Sequence, residues 1–357
     1  MKRFGRIIGI NAGLIVIVLV VAELIFGNWF FGPSYSILNV PRNETRYFDV
    51  SEFISPGKVI TYSRDEHGLR GDYGGNPANI NILAIGGSTT NERYLDDTET
   101  WVHQLQQELR AAGRNVYVVN AAVDGQSTVG HIAAFDLWFP NIPRLRPDIV
   151  LAYVGINDVA VGANREQYDT MQSPEHSRQL RQYIMNHSVL YNQFRRIRGM
   201  FVAQRTRLMH GANSYRTGTW KPVNDWVGEE QLREELGSAL TEYRKRLRTL
   251  ASRIQKFGAR PVFVTQLRGD FRYEDGELNA LVQKGADEKI SHRAFLTMQL
   301  FNDVTLAVCA ELALRCIDLA GELDFGPRDF YDGVHTMPAG SRKIAQFLAQ
   351  SLGDSLK

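Results

Sequence analysis

A serine hydroxyl is a weak nucleophile until a base takes its proton, and the chain supplies both groups far apart in sequence. Ser88 stands in Gly86-Gly87-Ser88-Thr89-Thr90, a glycine-flanked turn that gives its hydroxyl little steric cover. His335 ends the run Asp332-Gly333-Val334-His335, with Asp332 three residues earlier to hold its second ring nitrogen. Acyl transfer also needs donors for a developing oxyanion. The N–H groups of Ser88 and Gly125 and the amide of Asn157 are candidates, each such donor typically contributing about 2.7–4 kcal/mol to the transition state. Gln266 is a candidate pocket residue, and Asp158 reads as a brace for its loop that also borders the pocket. Singly, each piece has a plainer reading. A serine after two glycines caps helices or binds phosphate, Asn-Asp is turn chemistry, and a lone Asp-x-x-His is commonly surface structure. In combination they point to nucleophilic acyl transfer.

The elements that must position these groups alternate. Residues 80–85 read as a buried strand ending at Gly86-Gly87. A helix over 100–112 carries Trp101, Val102, Leu105 and Leu109 on one face, with Gly113 as its stop. Strands follow at 116–119, 149–154, 261–265 and 316–319. Helices are predicted over 128–145, over 236–257 (Leu236, Leu240, Tyr243, Leu247, Leu250, Ile254 and Phe257 on one face), over about 288–312 and over 338–352. Strands alternating with helices imply a mostly parallel sheet covered on both faces. In such sheets ligands bind beyond the carboxyl ends of the strands, where the segments at 86–90, 120–127 and 155–158 all fall.

At these residues the chain resembles the SGNH (GDSL-type) hydrolase family. Gly86-Gly87-Ser88 stands at that family's Gly-Asp-Ser block, Gly125 at its glycine block, Gly155-Ile156-Asn157-Asp158 at its Gly-x-Asn-Asp block, and residues 332–335 at its Asp-x-x-His block. The resemblance spans about residues 81–352. It implies a flavodoxin-like three-layer α/β/α sandwich and ester hydrolysis through an acyl-serine. Ser88 is then the nucleophile, His335 the base and Asp332 its partner, with Ser88, Gly125 and Asn157 forming the oxyanion hole. One departure concerns the turn: Gly87 replaces the family's usual aspartate before the serine. The elbow Gly-x-Ser-x-Gly of α/β-hydrolases is absent, since Thr90 occupies its last position.

The compartment is written at the N-terminus. From Ile7 to Phe31 the strongly polar residues are Asn11, Glu23 and Asn28. About 20 apolar residues cross a hydrocarbon core, so this run is long enough to span with some tilt. Lys2, Arg3 and Arg6 precede it, and the next positive charge is Arg42, an asymmetry that keeps the N-terminus in the cytoplasm. Trp29, Phe30 and Phe31 suit an interfacial belt. A cleaved signal peptide needs a shorter apolar core and a small-residue site, for which Val20-Val21-Ala22 is poor. A single signal anchor with the rest of the chain outside the membrane is expected. Cys309 and Cys316 read as two buried small hydrophobes, with a bridge across the intervening turn as the alternative in an oxidising compartment.

Composition sets limits. The 357 residues carry 41 basic and 39 acidic groups, so there is no polyelectrolyte signal for nucleic acid. Metalloprotease, Walker and dinucleotide motifs are absent, and the sequence calls for no cofactor and no metal. Charge is unevenly placed: residues 161–220 hold nine arginines against three acids. The expected organisation is a cytoplasmic stub and anchor at 1–31, linking loops at 32–79, and a hydrolase domain at 80–357 with a basic insertion at about 160–230. That insertion is either a solvated face or a contact for an anionic surface or acidic glycan. The implied activity is removal of O-acyl groups, O-acetyl foremost, from a glycan or envelope polymer of a bacterium. Its rivals are an O-acyltransferase with the same triad and a non-catalytic envelope-assembly protein on the same fold.

Overall fold

The computed structural model describes residues 2–27, 29–30, 38, 40–51, 54–162, 169, 184, 187–191, 193–194, 218–282, 289–326 and 328–353. Most of the basic stretch at 161–220 lies outside these residues. The chain divides into two compact units.

The first unit combines Met1–Asn39 with Thr170–Met209. Its main element is the helix Lys2–Phe26. Within it, Gly9–Phe26 has a mean hydropathy of 2.5 and no buried residue, so its apolar side chains have no protein core to face. At 1.5 Å per residue, the 25-residue helix is about 38 Å long, enough to cross a bilayer. Glu23 lies near its C-terminal end. Its carboxylate accepts from Trp29 Nε1 at 2.8 Å and from the Leu190 N–H at 3.0 Å.

The second unit, Val40–Asp169 with His210–Lys357, holds the remaining described elements. Its strands are β1 (Glu44–Asp49), β2 (Val59–Arg64), β3 (Ile82–Gly86), β4 (Val118–Asn120), β5 (Ile149–Tyr153), β6 (Thr219–Pro222), β7 (Arg260–Val264), β8 (Phe271–Glu274), β9 (Glu277–Val282) and β10 (Arg315–Ile317). Five of them form a parallel sheet in the order β10-β7-β5-β3-β4. In chain order that is 2-1-3-4-5, the flavodoxin-like winding, with its switch point between β3 and β5.

Both faces of this sheet are covered. Ile82, Ala84, Ile149, Leu151, Tyr153, Val262 and Val264 join one core with Trp101, Val102, Leu105 and Leu109 of the helix Trp101–Ala111 and Ile344, Ala345 and Leu348 of the helix Pro338–Leu352. The alternate residues Leu83, Ile85, Val150, Ala152 and Phe263 are fully buried and point to the opposite face. There the helix Gly237–Lys256 buries Tyr243, Leu247, Leu250 and Ile254. Near-continuous apolar strands of this kind are what a two-sided parallel sheet requires.

Several expected boundaries shift. The helix predicted over 128–145 ends at Leu137, because Pro140 cannot continue it and the chain tightens into a 3-10 turn at Phe139–Asn141. The helix expected from about 288 begins at Arg293, and residues 283–288 lie outside the described set. Two sheets emerge where no strands were predicted. β1 and β2 form an antiparallel hairpin inside the stretch read as linking loops, and β6-β9-β8 form a three-stranded antiparallel sheet. Cys309 and Cys316, expected to be separate buried hydrophobes, are joined as a disulfide. The bridge ties the last turn of the helix Arg293–Leu312 to the edge strand β10, whose Cα is 6.0 Å away across the turn.

Candidate active site

β3 delivers Ser88 to the carboxyl edge of the sheet, as the first residue of the one-turn helix Ser88–Asn91. The turn leaves no room at the residue before it. A Cβ on Gly87 would lie 2.1 Å from Asn157 Nδ2 and 3.2 Å from the Gln126 carbonyl oxygen. The absence of the family's usual aspartate at this position is therefore matched by the close approach of Asn157.

The segments around 88 and 335, 247 residues apart, meet at one hydrogen bond. Ser88 Oγ lies 2.8 Å from His335 Nε2, and His335 Nδ1 lies 2.7 Å from Asp332 Oδ2. With a carboxylate on Nδ1, that nitrogen carries the proton and Nε2 is left as the acceptor facing Ser88. Asp332 Oδ1 also accepts from the N–H groups of Val334 at 2.9 Å and His335 at 2.8 Å, so the aspartate shapes its own loop. Burial raises its pKa, but the bonds from His335 and the loop N–H groups outweigh that and hold it below the ordinary aspartate value. The Tyr331 ring stacks on the His335 ring, with centroids 5.6 Å apart and planes 10° from parallel.

The three oxyanion candidates differ in what they already do. Among the described residues, the N–H groups of Ser88 and Gly125 have no hydrogen-bond partner. Gly125 adopts φ +75°, a left-handed conformation that a side chain would strain. Asn157 Nδ2 donates one hydrogen to the Gln126 carbonyl at 2.9 Å. An amide nitrogen has two, so one remains available.

Gln266 and Asp158 do not line an open pocket. Gln266 is 1% exposed and its amide is fully engaged: Nε2 donates to Thr89 Oγ1 and the Tyr153 carbonyl, each at 3.0 Å, and Oε1 accepts from Ile156 N at 2.6 Å. It thus braces both the nucleophile turn and the Asn157 loop from beneath. Asp158 is wholly buried, accepting from the Thr128 N–H and hydroxyl and from Arg246 Nη2 at 3.3 Å. Burial raises its pKa to about 6 against those partners.

Two groups behind the site carried no readable signal in the sequence. Arg64, the last residue of β2, is buried and donates to the carbonyls of Gly68, Asn120 and Ala122 and, at 2.5 Å, to Asn91 Oδ1. Asn91 Nδ2 in turn donates to Asp124 Oδ1 at 2.5 Å, next to Gly125. The hairpin therefore props the loop that presents Gly125. The second group is Glu92, a buried carboxylate four residues after Ser88.

Residues 84–343 match the family model described as GDSL-like Lipase/Acylhydrolase family. The chain belongs to this family. It is accordingly a GDSL-type esterase or acylhydrolase acting on ester bonds. No curated protein matches it in sequence. Solved structures with a similar fold include TesA, at 17% identity over 78% of this chain and 99% of that one, with a TM-score of 0.42. The acetyl xylan esterase AlAXEase is 13% identical, covers 76% of this chain and 100% of its own, and scores 0.43. A variant of Axe2, an acetyl-xylooligosaccharide esterase from Geobacillus Stearmophilus, is 16% identical, covers 77% and 94%, and also scores 0.43.

Proposed function

We propose that the protein is a membrane-anchored esterase that removes O-acyl groups, O-acetyl foremost, from a glycan or envelope polymer outside the cytoplasmic membrane. The observation that carries the catalytic part is the unbroken line of hydrogen bonds Asp332–His335–Ser88, at 2.7 and 2.8 Å. In the first step His335 Nε2 takes the proton of Ser88 Oγ as the oxygen attacks the ester carbonyl. The carbonyl oxygen becomes an anion facing the N–H groups of Ser88 and Gly125 and the free N–H of Asn157. His335 then gives its proton to the leaving sugar oxygen, leaving an acetyl-Ser88 and a free hydroxyl on the glycan. Water, deprotonated by the same nitrogen, attacks the acyl-serine, and as the bond to Ser88 Oγ breaks His335 returns the proton to that oxygen and acetate is released. Asp332 stays ionised throughout and stabilises the imidazolium.

The anchor reading is supported by the exposed apolar helix Lys2–Phe26 and the basic residues at its start. With such an anchor, the ester within reach is one carried by a polymer at the membrane surface. The test is labelling of the full-length protein in membranes with a fluorophosphonate, with peptide mapping of the adduct. The adduct is expected on Ser88 and absent in Ser88→Ala, which should also fail to release acetate from p-nitrophenyl acetate. Equal turnover by the two proteins would remove Ser88 from the mechanism. Labelling that needs a permeabilised outer face but no access to the cytoplasm checks the orientation.

A further inference from the structure

We propose that a groove built by β6, β8 and the loop after β10 binds a neutral oligosaccharide and so presents the ester-bearing sugar to the catalytic loop. The proposal rests on the glycan reading above, and its test separates the two. The groove consists of two adjoining cavities of about 310 and 300 Å³ that share Gln299, Ala320 and Gly321. Ala320 and Gly321 follow β10 directly, so both cavities lie beyond the carboxyl end of the parallel sheet, where this fold class receives ligands.

The first cavity is tied to the catalytic loop by covalent and hydrogen-bonded continuity. Phe330, on its wall, lies two residues before Asp332 and bridges to Thr336, the residue after His335. Gly269, also on its wall, donates its N–H to the Gly333 carbonyl at 2.8 Å, within the same loop. A Cβ on Gly269 would lie 2.3 Å from the Phe330 ring, so the glycine is what lets the ring seat there. A ligand in this cavity therefore rests on the same short segments that hold His335.

The chemistry of the walls selects the ligand class. Trp220, Tyr273, Phe295 and Phe325 offer flat faces, and the rings are braced by one another: Tyr273 with Phe295 at 6.2 Å, Phe325 with Phe330 at 5.0 Å. Interleaved with them are Gln299 and Asp324, and in the second cavity Glu229, Asp303 and Asp318. Glu229 and Asp303 both pair with Arg233, at 2.9 and 3.2 Å, and Asp318 accepts from the Thr265 hydroxyl and the Gly321 N–H, while the one cation in the lining itself, Arg272, sits over the Trp220 ring at 4.1 Å and donates to Glu274. A polyanionic chain would find in this lining one cation, already paired with Glu274, and, among the described residues, an unshared carboxylate at Asp324. A long acyl chain would press hydrocarbon on carboxylates and an amide that need water or donors. A neutral sugar chain satisfies both kinds of wall. Its C–H faces suit the electron-rich faces of aromatic rings, and its hydroxyls donate to carboxylates and to the Gln299 amide oxygen. Each cavity is at the small end for a single bound molecule, and two in series suit successive units of a polymer.

Calorimetric titration of the full-length Ser88→Ala protein in nanodiscs tests this, with xylohexaose, cellohexaose and mannohexaose as neutral probes and hexagalacturonate as the anionic one. At least one neutral hexasaccharide is expected to bind, with its Kd raised at least 10-fold by Tyr273→Ala and again by Gln299→Ala, while hexagalacturonate does not bind. Both replaced side chains are exposed, and unchanged melting temperatures confirm that each variant is folded. Absence of binding by all three neutral probes, binding of hexagalacturonate as tight or tighter, or affinities untouched by the two substitutions would overturn the proposal. Neutral-probe binding without acetate release from acetylated xylohexaose by the wild type would leave the groove standing and remove the deacetylase reading.

Discussion

Glu92 Oε1 accepts a hydrogen bond from Thr336 Oγ1 at 2.6 Å, which joins the end of the nucleophile turn to the residue after His335. The same oxygen accepts from Ser341 Oγ at 2.5 Å, and Oε2 accepts from the Trp101 N–H at 2.6 Å. Its own N–H caps the Ser88 carbonyl at 2.8 Å, with φ at +47°. One side chain thus connects the turn of Ser88, the loop of His335 and the first turns of the two helices that cover one face of the sheet. A hydrogen bond between Ser88 and His335 requires that these segments keep a fixed register. Glu92 is a positioning residue for that contact.

This arrangement has a cost that depends on pH. Desolvation pushes the Glu92 carboxyl up to about 7, against the bonds from Ser341, Thr336 and Trp101. An acid whose folded pKa lies above its unfolded value holds its proton longer in the folded state. Stability then falls as pH rises from about 4.5 to 7, by about 3 kcal/mol in all, and stays lower above that. Glu92→Gln should remove this dependence. In urea unfolding at pH 5 and pH 8, the wild type is expected to lose about 3 kcal/mol more than the variant. Equal losses would mean that the carboxyl is ionised across the whole range.

His131 imposes the opposite slope. It is fully buried on the helix Thr128–Leu137, Nε2 has no hydrogen-bond partner, and desolvation lowers its pKa to about 3. A histidine that is harder to protonate when folded makes stability fall as pH drops below about 6.5. Between pH 7 and 4.5 the wild type should lose about 2–3 kcal/mol more than His131→Leu. Because Glu92 acts with the other sign between about 4.5 and 6.5, the wild-type profile should be flatter there than that of either single variant. A wild-type curve steeper than both would contradict the pair.

Much of this was legible in the sequence, and the reasons differ by element. The parallel strands announce themselves because both of their faces are buried, so Ile82 to Ile85 is a continuous apolar run. The helix Pro338–Leu352 was legible to the residue, since Pro338 opens it and Ile344 and Leu348 keep a helical period. Ser88 stood out by its type and its place at a strand end, and Asp332 and His335 by their types and three-residue spacing. The hairpin did not, because Glu44, Arg46 and Asp49 in β1 are polar residues that alternate with little apolar contrast. Glu92 was invisible for a different reason. Its partners Thr336 and Ser341 are brought to it by the fold, and nothing local marks a glutamate that will be buried. Gln266 read as a pocket residue because it follows a strand, yet the strand end beneath the site is also where a brace must stand.

The Asp332 carboxylate should matter for catalysis more than for folding. Asp332→Asn keeps the shape but offers His335 Nδ1 an amide in place of a charge, which allows the tautomer with the proton on Nε2. The expected result is a fall in kcat for p-nitrophenyl acetate of about 10³–10⁴-fold with KM changed little. Because its pKa is held below the usual aspartate range, Asp332 is expected to stay ionised beside His335 in mild acid. A kcat within a few-fold of wild type would mean that Asp332 only shapes the loop through its bonds to the N–H groups of Val334 and His335.

The glycine before the nucleophile gives the sharpest test of the oxyanion site. A Cβ on Gly87 would sit 2.1 Å from Asn157 Nδ2, too close to be accommodated without moving the amide. Gly87→Ala should therefore act by displacing Asn157 from its bond to the Gln126 carbonyl, and Gly87→Asp should do the same more strongly. If Asn157 supplies one oxyanion donor, losing it costs about 10²–10³-fold in kcat. Asn157→Ala alone should show a loss of that order, and Gly87→Ala should approach it. In the double variant the clash is gone, so the two effects should not add, leaving kcat close to that of Asn157→Ala. Additive losses would show that Gly87 acts on the turn itself, independently of Asn157. A Gly87→Ala protein with wild-type kcat would show that the amide yields without leaving the reaction, whereas wild-type kcat in Asn157→Ala would take Asn157 out of the oxyanion hole.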